Sequence, residues 1–85
     1  SIMSTGTTLY FYVTEQCELC QQAEQVLVRT PIDTPIPVEV VDISESETLV
    51  ERYGERIPVV RMEPQGKELN WPFTQDDVIS FLGNH

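Results

Sequence analysis

Two cysteines three positions apart, Cys17 and Cys20, are the residues of this chain most able to do chemistry. Residues at this spacing on one helical turn face the same side, with about 5 to 6 Å between their Cβ atoms. From that separation the geometry of a disulfide can be met without moving the backbone much. The pair can therefore alternate between dithiol and disulfide, and it holds all the cysteine of the 85-residue chain.

The two sulfurs have different expected environments. Cys17 is predicted to begin a helix, where free N–H groups and the positive end of the helix dipole favour thiolate over thiol. We therefore predict that Cys17 is the partly exposed nucleophile. Cys20, one turn further on the apolar side, is predicted to be less exposed. Its role would be to attack the mixed disulfide that Cys17 forms.

The charges near the pair oppose this activation. Glu15 and Glu18 flank Cys17 and disfavour a second anion there, so that activation of the thiol is expected to be modest. No lysine or arginine lies within ten residues of Cys17 in the sequence. Cationic help would have to come through the fold, and Arg56 is the candidate.

Other chemistry at the pair stays open. Zinc needs four ligands, or three with an open position, and the only further candidate in the chain is His85. Two chains together would supply four thiolates, enough to bridge an iron–sulfur cluster or zinc. A buried, inert cysteine pair is the remaining alternative. We predict no metal ligands within one chain.

A strand and a helix are predicted to position the cysteines. Residues 7–13 are β-branched and aromatic, with a continuous apolar run from Leu9, which is typical of a central strand. After a short polar turn, apolar residues recur at steps of three and four up to Leu27, which predicts an amphipathic helix. Pro31 cannot continue the helix, so it should end near Arg29.

The next segments complete a βαβ unit. Three prolines in residues 31–37 indicate a connection, and Val38–Ile43 reads as a strand. Strand, helix and strand over such a length require parallel pairing and a right-handed crossover. The sheet is therefore predicted to contain a parallel pair.

A second, short helix is predicted over Glu45–Tyr53. Ser44 and Glu47 have the spacing of a capping box, and Gly54 fits a left-handed residue after the helix end. We interpret the acidic residues from Glu45 to Glu55 as a solvated helix face, with steering of a partner as the alternative.

The C-terminal third predicts a hairpin and a last helix. Residues 57–62 read as a strand that begins at a proline, residues 63–66 as a turn and residues 67–70 as the return strand. Thr74 can then cap a helix with Asp77 as its third residue. Its inward residues are predicted to be Val78, Ile79, Phe81 and Leu82, and Gly83 should end it.

Size and charge limit the possible partners. Eighty-five residues suffice for one domain, 1–85, in which 1–6 are expected to be a flexible N-terminus or a cloning remnant. Such a small domain favours a shallow groove over a central cavity. A net charge of −9 would repel nucleic acid and anionic lipid. Lacking a long apolar stretch and a signal peptide, the chain is expected to be cytoplasmic, without a membrane partner and monomeric.

The predicted order, β-α-β-α-β-β-α, is an α/β mixed sheet with helices on both faces. Cys17-Glu18-Leu19-Cys20 after the first strand, and Arg56-Ile57-Pro58-Val59-Val60 at a later one, resemble glutaredoxin-like members of the thioredoxin superfamily over residues 8–82. The resemblance implies a thioredoxin-like fold and a thiol–disulfide oxidoreductase acting on a disulfide-containing protein or a small thiol.

The resemblance also implies a substrate-binding segment. In that family the proline matching Pro58 is in cis and lies against the cysteine pair. The backbone of the preceding residue, here Ile57, pairs with an extended thiol substrate. We therefore assign substrate binding to Ile57 and Pro58, together with Arg56 and Gln16, and catalysis to the cysteines.

The resemblance does not extend to the residues that hold glutathione in typical glutaredoxins. Those proteins have Cys-Pro-Tyr-Cys, a basic residue before it and a Gly-Gly step before the last helix. This chain has Glu18-Leu19 inside the motif, Thr14-Glu15-Gln16 before it and Trp71-Pro72-Phe73 in place of the glycines. Trp71 followed by Phe73, Asp76 and Asp77 is similar to the ending of glutaredoxin-like redoxins that supply ribonucleotide reductase and are recharged by thioredoxin reductase.

These features leave the reductant open. No bound cofactor is predicted, and glutathione or thioredoxin reductase could serve as the external reductant. Trp71 is interpreted as a lid on the core, with partner docking as the alternative. Two other functions remain as hypotheses: a non-catalytic binding module that uses its groove or acidic face, and a metal or iron–sulfur carrier formed by two chains.

Overall fold

The computed structural model describes residues 7–31 and 36–83. The expectations for residues 1–6 and His85, and most of the predicted connection after Pro31, lie outside the described residues. The elements follow the predicted order: β1 (Thr8–Val13), α1 (Glu18–Arg29), β2 (Val38–Asp42), a 3₁₀ turn (Ile43–Glu45), α2 (Glu47–Tyr53), β3 (Val59–Glu63), β4 (Lys67–Asn70) and α3 (Gln75–Gly83).

The four strands form one mixed sheet in the order β2-β1-β3-β4. β1 is parallel to β2, with Phe11 opposite Val40, and antiparallel to β3, with Phe11 opposite Val60. β3 and β4 form the antiparallel hairpin. The predicted parallel βαβ unit, the hairpin and the central position of the first strand are confirmed.

Alternation along β1 sends its side chains to two different cores. Leu9 and Phe11 are buried in the main core, against residues of α1 and α3. Tyr12 faces the opposite way and packs with the buried residues of a second, smaller core near α2, which are Ile43, Tyr53 and Val59. Helices therefore cover both faces of the sheet, as predicted.

The start of α2 differs from the prediction. The carboxylate of Asp42 accepts hydrogen bonds from the backbone N–H and the hydroxyl of Ser44, at 2.9 and 2.7 Å. Ser44 is thereby held in the 3₁₀ turn, and Ser46 caps α2 by accepting a hydrogen bond from Leu49. The predicted capping box of Ser44 with Glu47 is wrong, because Ser44 donates its hydrogen bonds to Asp42 instead.

The end of α2 differs as well. Gly54 has φ −52° and ψ −34°, in the right-handed region, so the predicted left-handed residue is wrong. The chain makes another turn there, in which the N–H groups of Arg56 and Ile57 donate to the carbonyl of Tyr53. Glycine is nevertheless favoured, because a Cβ at this position would lie 2.5 Å from the Val50 carbonyl oxygen.

The C-terminal third follows the prediction more closely. Gly66 turns the hairpin with φ 78°, where glycine is favoured. Thr74 and Asp77 cap α3 reciprocally, each accepting the other's backbone N–H at 3.1 and 2.9 Å. Ile79 was predicted to face inward but is 44% exposed, so that prediction is wrong. Val78 holds the buried position of α3, and Ile79 lies about 100° further round the helix.

A polar network ties α2 to the hairpin on the face opposite the main core. The Glu68 carboxylate accepts hydrogen bonds from Tyr53 at 2.8 Å, Arg56 at 2.5 Å and Arg61 at 3.0 Å. Arg56 also lies over the Tyr53 ring, 5.2 Å from its centre. Partial burial raises the pKa of Glu68, but the three hydrogen bonds outweigh it and hold the pKa below its ordinary 4.5.

This network predicts a pH-dependent contribution to stability. When a carboxyl has a lower pKa in the folded protein than in the unfolded chain, it stabilises the fold at pH values above its unfolded-state pKa. This stabilisation is lost as the pH falls through the folded-state pKa. Glu68→Gln should therefore lower the free energy of unfolding by about 1 to 2 kcal/mol at pH 7. The difference from the native protein should shrink below about pH 4.5.

The measurement is urea unfolding at pH 7, 5, 4 and 3. Glu51→Gln is the matched control, since Glu51 is exposed on α2 and makes no ion pair among the described residues. If the free energy of unfolding of Glu68→Gln stays below that of the native protein by the same amount down to pH 3, the stabilising role assigned to the ionised Glu68 is wrong.

Candidate functional site

The structure joins Cys17 and Cys20 by a disulfide, with their Cα atoms 5.2 Å apart. Cys17 is the N-cap of α1 and is partly exposed, whereas Cys20 lies in the first turn and is only 6% exposed. The predicted ability of the two cysteines to form a disulfide and the predicted difference in their exposure are confirmed. The catalytic roles of the two sulfurs remain predictions.

The backbone holds the Cys17 sulfur at the start of α1. The N–H of Cys20 donates a hydrogen bond to Cys17 Sγ at 3.0 Å. In the reduced protein the same donor, with the positive end of the helix dipole, would stabilise a thiolate at this position. Glu18, in the first helical turn, adds a negative charge that works against this effect.

Gln16 places the cysteine by its backbone. Its φ of 57° lies in the left-handed region, which costs a residue with a side chain about 1 to 2 kcal/mol. This turn redirects the chain between the end of β1 at Val13 and the N-cap at Cys17. The assignment of Gln16 to substrate binding stays a prediction, and its side chain is exposed beside the disulfide.

A cavity of about 260 Å³ opens next to the disulfide. Its lining residues are Phe11, Val13, Thr14, Glu15, Gln16, Cys17, Cys20, Gln21, Glu24 and Val40. The lining contains carboxylates but no lysine or arginine. Of this lining, sequence reasoning assigned only Gln16, Cys17 and Cys20 to the site and noted Glu15 for its charge; it missed the others, including Glu24 and Val40. Glu24 follows Cys20 by four residues, so helical spacing could have identified it, but no local signal marks Val40.

Arg56 is occupied elsewhere. Its guanidinium pairs with Glu68 and donates to Asn70 at 3.2 Å, on the hairpin side of the sheet. Among the described residues it makes no contact with Cys17, and it does not line the cavity. No contact among the described residues therefore supports the expectation that Arg56 supplies positive charge to the Cys17 sulfur. The role of Arg56 in substrate binding remains a prediction.

The segment before β3 is fixed by its backbone. The Ile57–Pro58 peptide bond is in cis, and Pro58 is buried. The Ile57 N–H donates to Tyr53 at 3.0 Å, and the Pro58 carbonyl accepts from Trp71 at 3.3 Å. Within the described part of the chain the carbonyl of Ile57 accepts no hydrogen bond. Of the N–H and carbonyl of Ile57, whose backbone is predicted to pair with the substrate, only the carbonyl is therefore still available.

Trp71 covers the edge of the main core. It is partly buried there and makes an edge-to-face contact with Phe73, with ring centres 5.0 Å apart. This placement agrees with the interpretation of Trp71 as a lid on the core.

In residues 7–31 and 36–83, no three His, Cys, Asp or Glu side chains are grouped so that they could hold a metal ion. None of the helices within these ranges has the length and apolarity needed to cross a membrane.

Comparison with known proteins relates most of the chain to one family. The sequence profile of the glutaredoxin-like domain (DUF836) matches residues 8–83. A structural genomics target protein from X. campestris is similar at 32% identity and a TM-score of 0.79, covering 92% of this chain and 99% of that one. None of the curated proteins matches the chain.

Two more distant structures share the fold. The protein Ne2328 from Nitrosomonas europaea is 24% identical, with a TM-score of 0.73, over 95% of this chain and 96% of that one. A mutant thioredoxin from Halobacterium salinarum is 22% identical, with a TM-score of 0.68, over 89% of this chain and 71% of that one. The architecture is therefore thioredoxin-like.

Proposed function

Because the chain belongs to the glutaredoxin-like domain family, we propose that it is a thiol–disulfide oxidoreductase whose working couple is Cys17 and Cys20. The observation that carries the proposal is the disulfide between a partly exposed helix N-cap and a buried residue one turn away. Because of this asymmetry, a substrate can reach the sulfur of Cys17, while the sulfur of Cys20 stays buried until the second step.

The reaction proceeds by two exchanges. The Cys17 thiolate attacks one sulfur of the substrate disulfide, forms a mixed disulfide and releases the first thiolate, which takes a proton from water. The Cys20 thiol then loses its proton and attacks Cys17 Sγ, which releases the second thiol and closes the protein disulfide. One substrate disulfide is reduced to two thiols, and the protein dithiol is oxidised.

An external reductant must then restore the dithiol. Glutathione carries two carboxylates, and the cavity beside Cys17 offers carboxylates of its own but no lysine or arginine. Repulsion between these like charges slows the encounter of glutathione with Cys17. We therefore favour a dithiol protein, such as a thioredoxin-type system, over glutathione as the physiological reductant, and a disulfide-containing protein as the substrate.

A single-turnover reaction tests the proposal. The reduced protein is freed of reductant and mixed with 2-hydroxyethyl disulfide, a neutral substrate. We expect each protein molecule to release two molecules of 2-mercaptoethanol and lose both of its thiols. Protein alkylated at both cysteines is the control. Failure to release any thiol above this control would contradict the proposed function.

A further inference from the structure

The cavity beside the disulfide has an open apolar floor. Phe11, Val13 and Val40 contribute to it, from the two parallel strands. Val40 lies on the sheet face that carries α1, opposite the buried Phe11, yet it is 63% exposed. The helix therefore leaves part of this face uncovered next to the reacting sulfur. An exposed apolar surface in such a place favours contact with a substrate.

The rim of the cavity is negative. Glu15 precedes the N-cap, and Glu24 lies two turns into α1 on the same side as Cys17 and Cys20. Both carboxylates are exposed, and neither makes an ion pair with a described residue. The other polar side chains of the lining, those of Thr14, Gln16 and Gln21, are neutral. The net charge of −9 extends the same field outward.

An apolar floor beneath a carboxylate rim suits an amphipathic cation. Lysine and arginine bury their aliphatic stems along apolar surface while the charged head stays in water. Their heads would lie near Glu15 and Glu24. A carboxylate or phosphate at this position would instead meet like charge at close range.

Resting on the proposed function, the geometry points to a substrate class: we propose that the cavity binds a lysine or arginine side chain beside the disulfide-bonded cysteine of a protein substrate. The stem lies against Val13 and Val40, and the charge lies at the rim. Glu15 and Glu24 are then specificity-determining residues. Binding here adds no chemical step to the exchange at Cys17.

The expected selectivity is modest because the carboxylates are exposed. An exposed ion pair contributes little to binding energy. Each of the two carboxylates, Glu15 and Glu24, should therefore change kcat/KM for a lysine peptide by about 2- to 5-fold. A peptide with lysine beside the cysteine should react about 3- to 10-fold faster than one with norleucine, which has the stem without the charge. Glutamate at that position should react more slowly than norleucine. Salt should reduce these differences.

The test uses symmetric disulfides of blocked Gly-Cys-Xaa-Gly peptides, with lysine, norleucine, alanine or glutamate at Xaa. Initial rates with dithiothreitol as reductant give kcat/KM for each peptide. The protein is compared with the double variant Glu15→Gln/Glu24→Gln. The matched control is Glu51→Gln/Glu55→Gln, which changes the net charge equally at exposed residues outside the cavity lining.

The readout is the ratio of lysine to norleucine rates, since any change in Cys17 reactivity cancels in it. We expect the ratio to fall in the cavity variant and to persist in the control, with norleucine faster than alanine in all three proteins. An unchanged ratio in the cavity variant, or an equal fall in the control, would overturn the inference. If the protein reduces 2-hydroxyethyl disulfide but all the peptides have the same kcat/KM, the inferred preference for a basic side chain is wrong and the proposed function still stands. Failure to reduce any disulfide would overturn the proposed function and the inference with it.

Discussion

Replacing Cys17 by serine is expected to lower the rate of disulfide reduction by at least about a thousandfold. A serine hydroxyl at the start of α1 has no base beside it and cannot form a disulfide with the substrate. The rate is measured with 2-hydroxyethyl disulfide and dithiothreitol. Because the change also removes the internal disulfide, circular dichroism and urea unfolding of the reduced proteins establish that the fold is retained.

The Cys17→Ser variant also separates two classes of function. A non-catalytic binding module would keep its biological role when Cys17 is replaced, since the fold and the acidic surface are unchanged. Substantial disulfide reduction by a folded Cys17→Ser protein would show that the assigned nucleophile is wrong.

Replacing Cys20 by serine is expected to stop the reaction after its first half. Cys17 remains at the helix start, so it still attacks the substrate, but no second sulfur lies within reach to resolve the mixed disulfide. Each protein molecule should release one thiol from 2-hydroxyethyl disulfide and retain the other half covalently. Intact-protein mass spectrometry detects this adduct, and dithiothreitol removes it.

The Cys20→Ser variant and the Cys17→Ser variant control each other, because both lack the same disulfide. Trapping by Cys17→Ser in place of Cys20→Ser would reverse the assigned roles. Full turnover by Cys20→Ser at the native rate would show that an external thiol, rather than Cys20, resolves the intermediate.

The element order and the cysteine pair could be predicted because their signals are local. The continuous apolar run of β1 and the three- and four-residue spacing of α1 each lie within one segment. Once these two elements are placed, the N-cap position of Cys17 and the burial of Cys20 follow. Thr74 and Asp77 likewise form their cap within four residues.

The features that could not be predicted depend on competition or on long-range contacts. The spacing of Ser44 predicts a helix cap, but in the structure its N–H and hydroxyl donate to Asp42. Sequence patterns do not rank two such local hydrogen bonds. The Glu68 network joins residues 12 and 15 positions apart across different elements. The exposure of Val40 depends on where α1 crosses the sheet. Only the assembled fold determines these contacts.

The position of Arg56 shows the same limit for charge. With few basic residues in the chain, the sequence alone predicts Arg56 as the most plausible cation for Cys17. The fold instead pairs it with Glu68, so the cavity beside the sulfur keeps an uncompensated negative rim. This charge pattern underlies both the preference against glutathione and the proposed basic substrate.

The central claim is that Cys17 and Cys20 form a reversible dithiol–disulfide couple, and a redox titration tests it most directly. The protein is equilibrated in dithiothreitol or glutathione buffers, and its free thiols are trapped by alkylation and counted by mass spectrometry. We predict one two-electron transition between about −320 and −120 mV, the range of known exchangers and cellular poise. A pair that stays wholly reduced or wholly oxidised across that range would contradict the account.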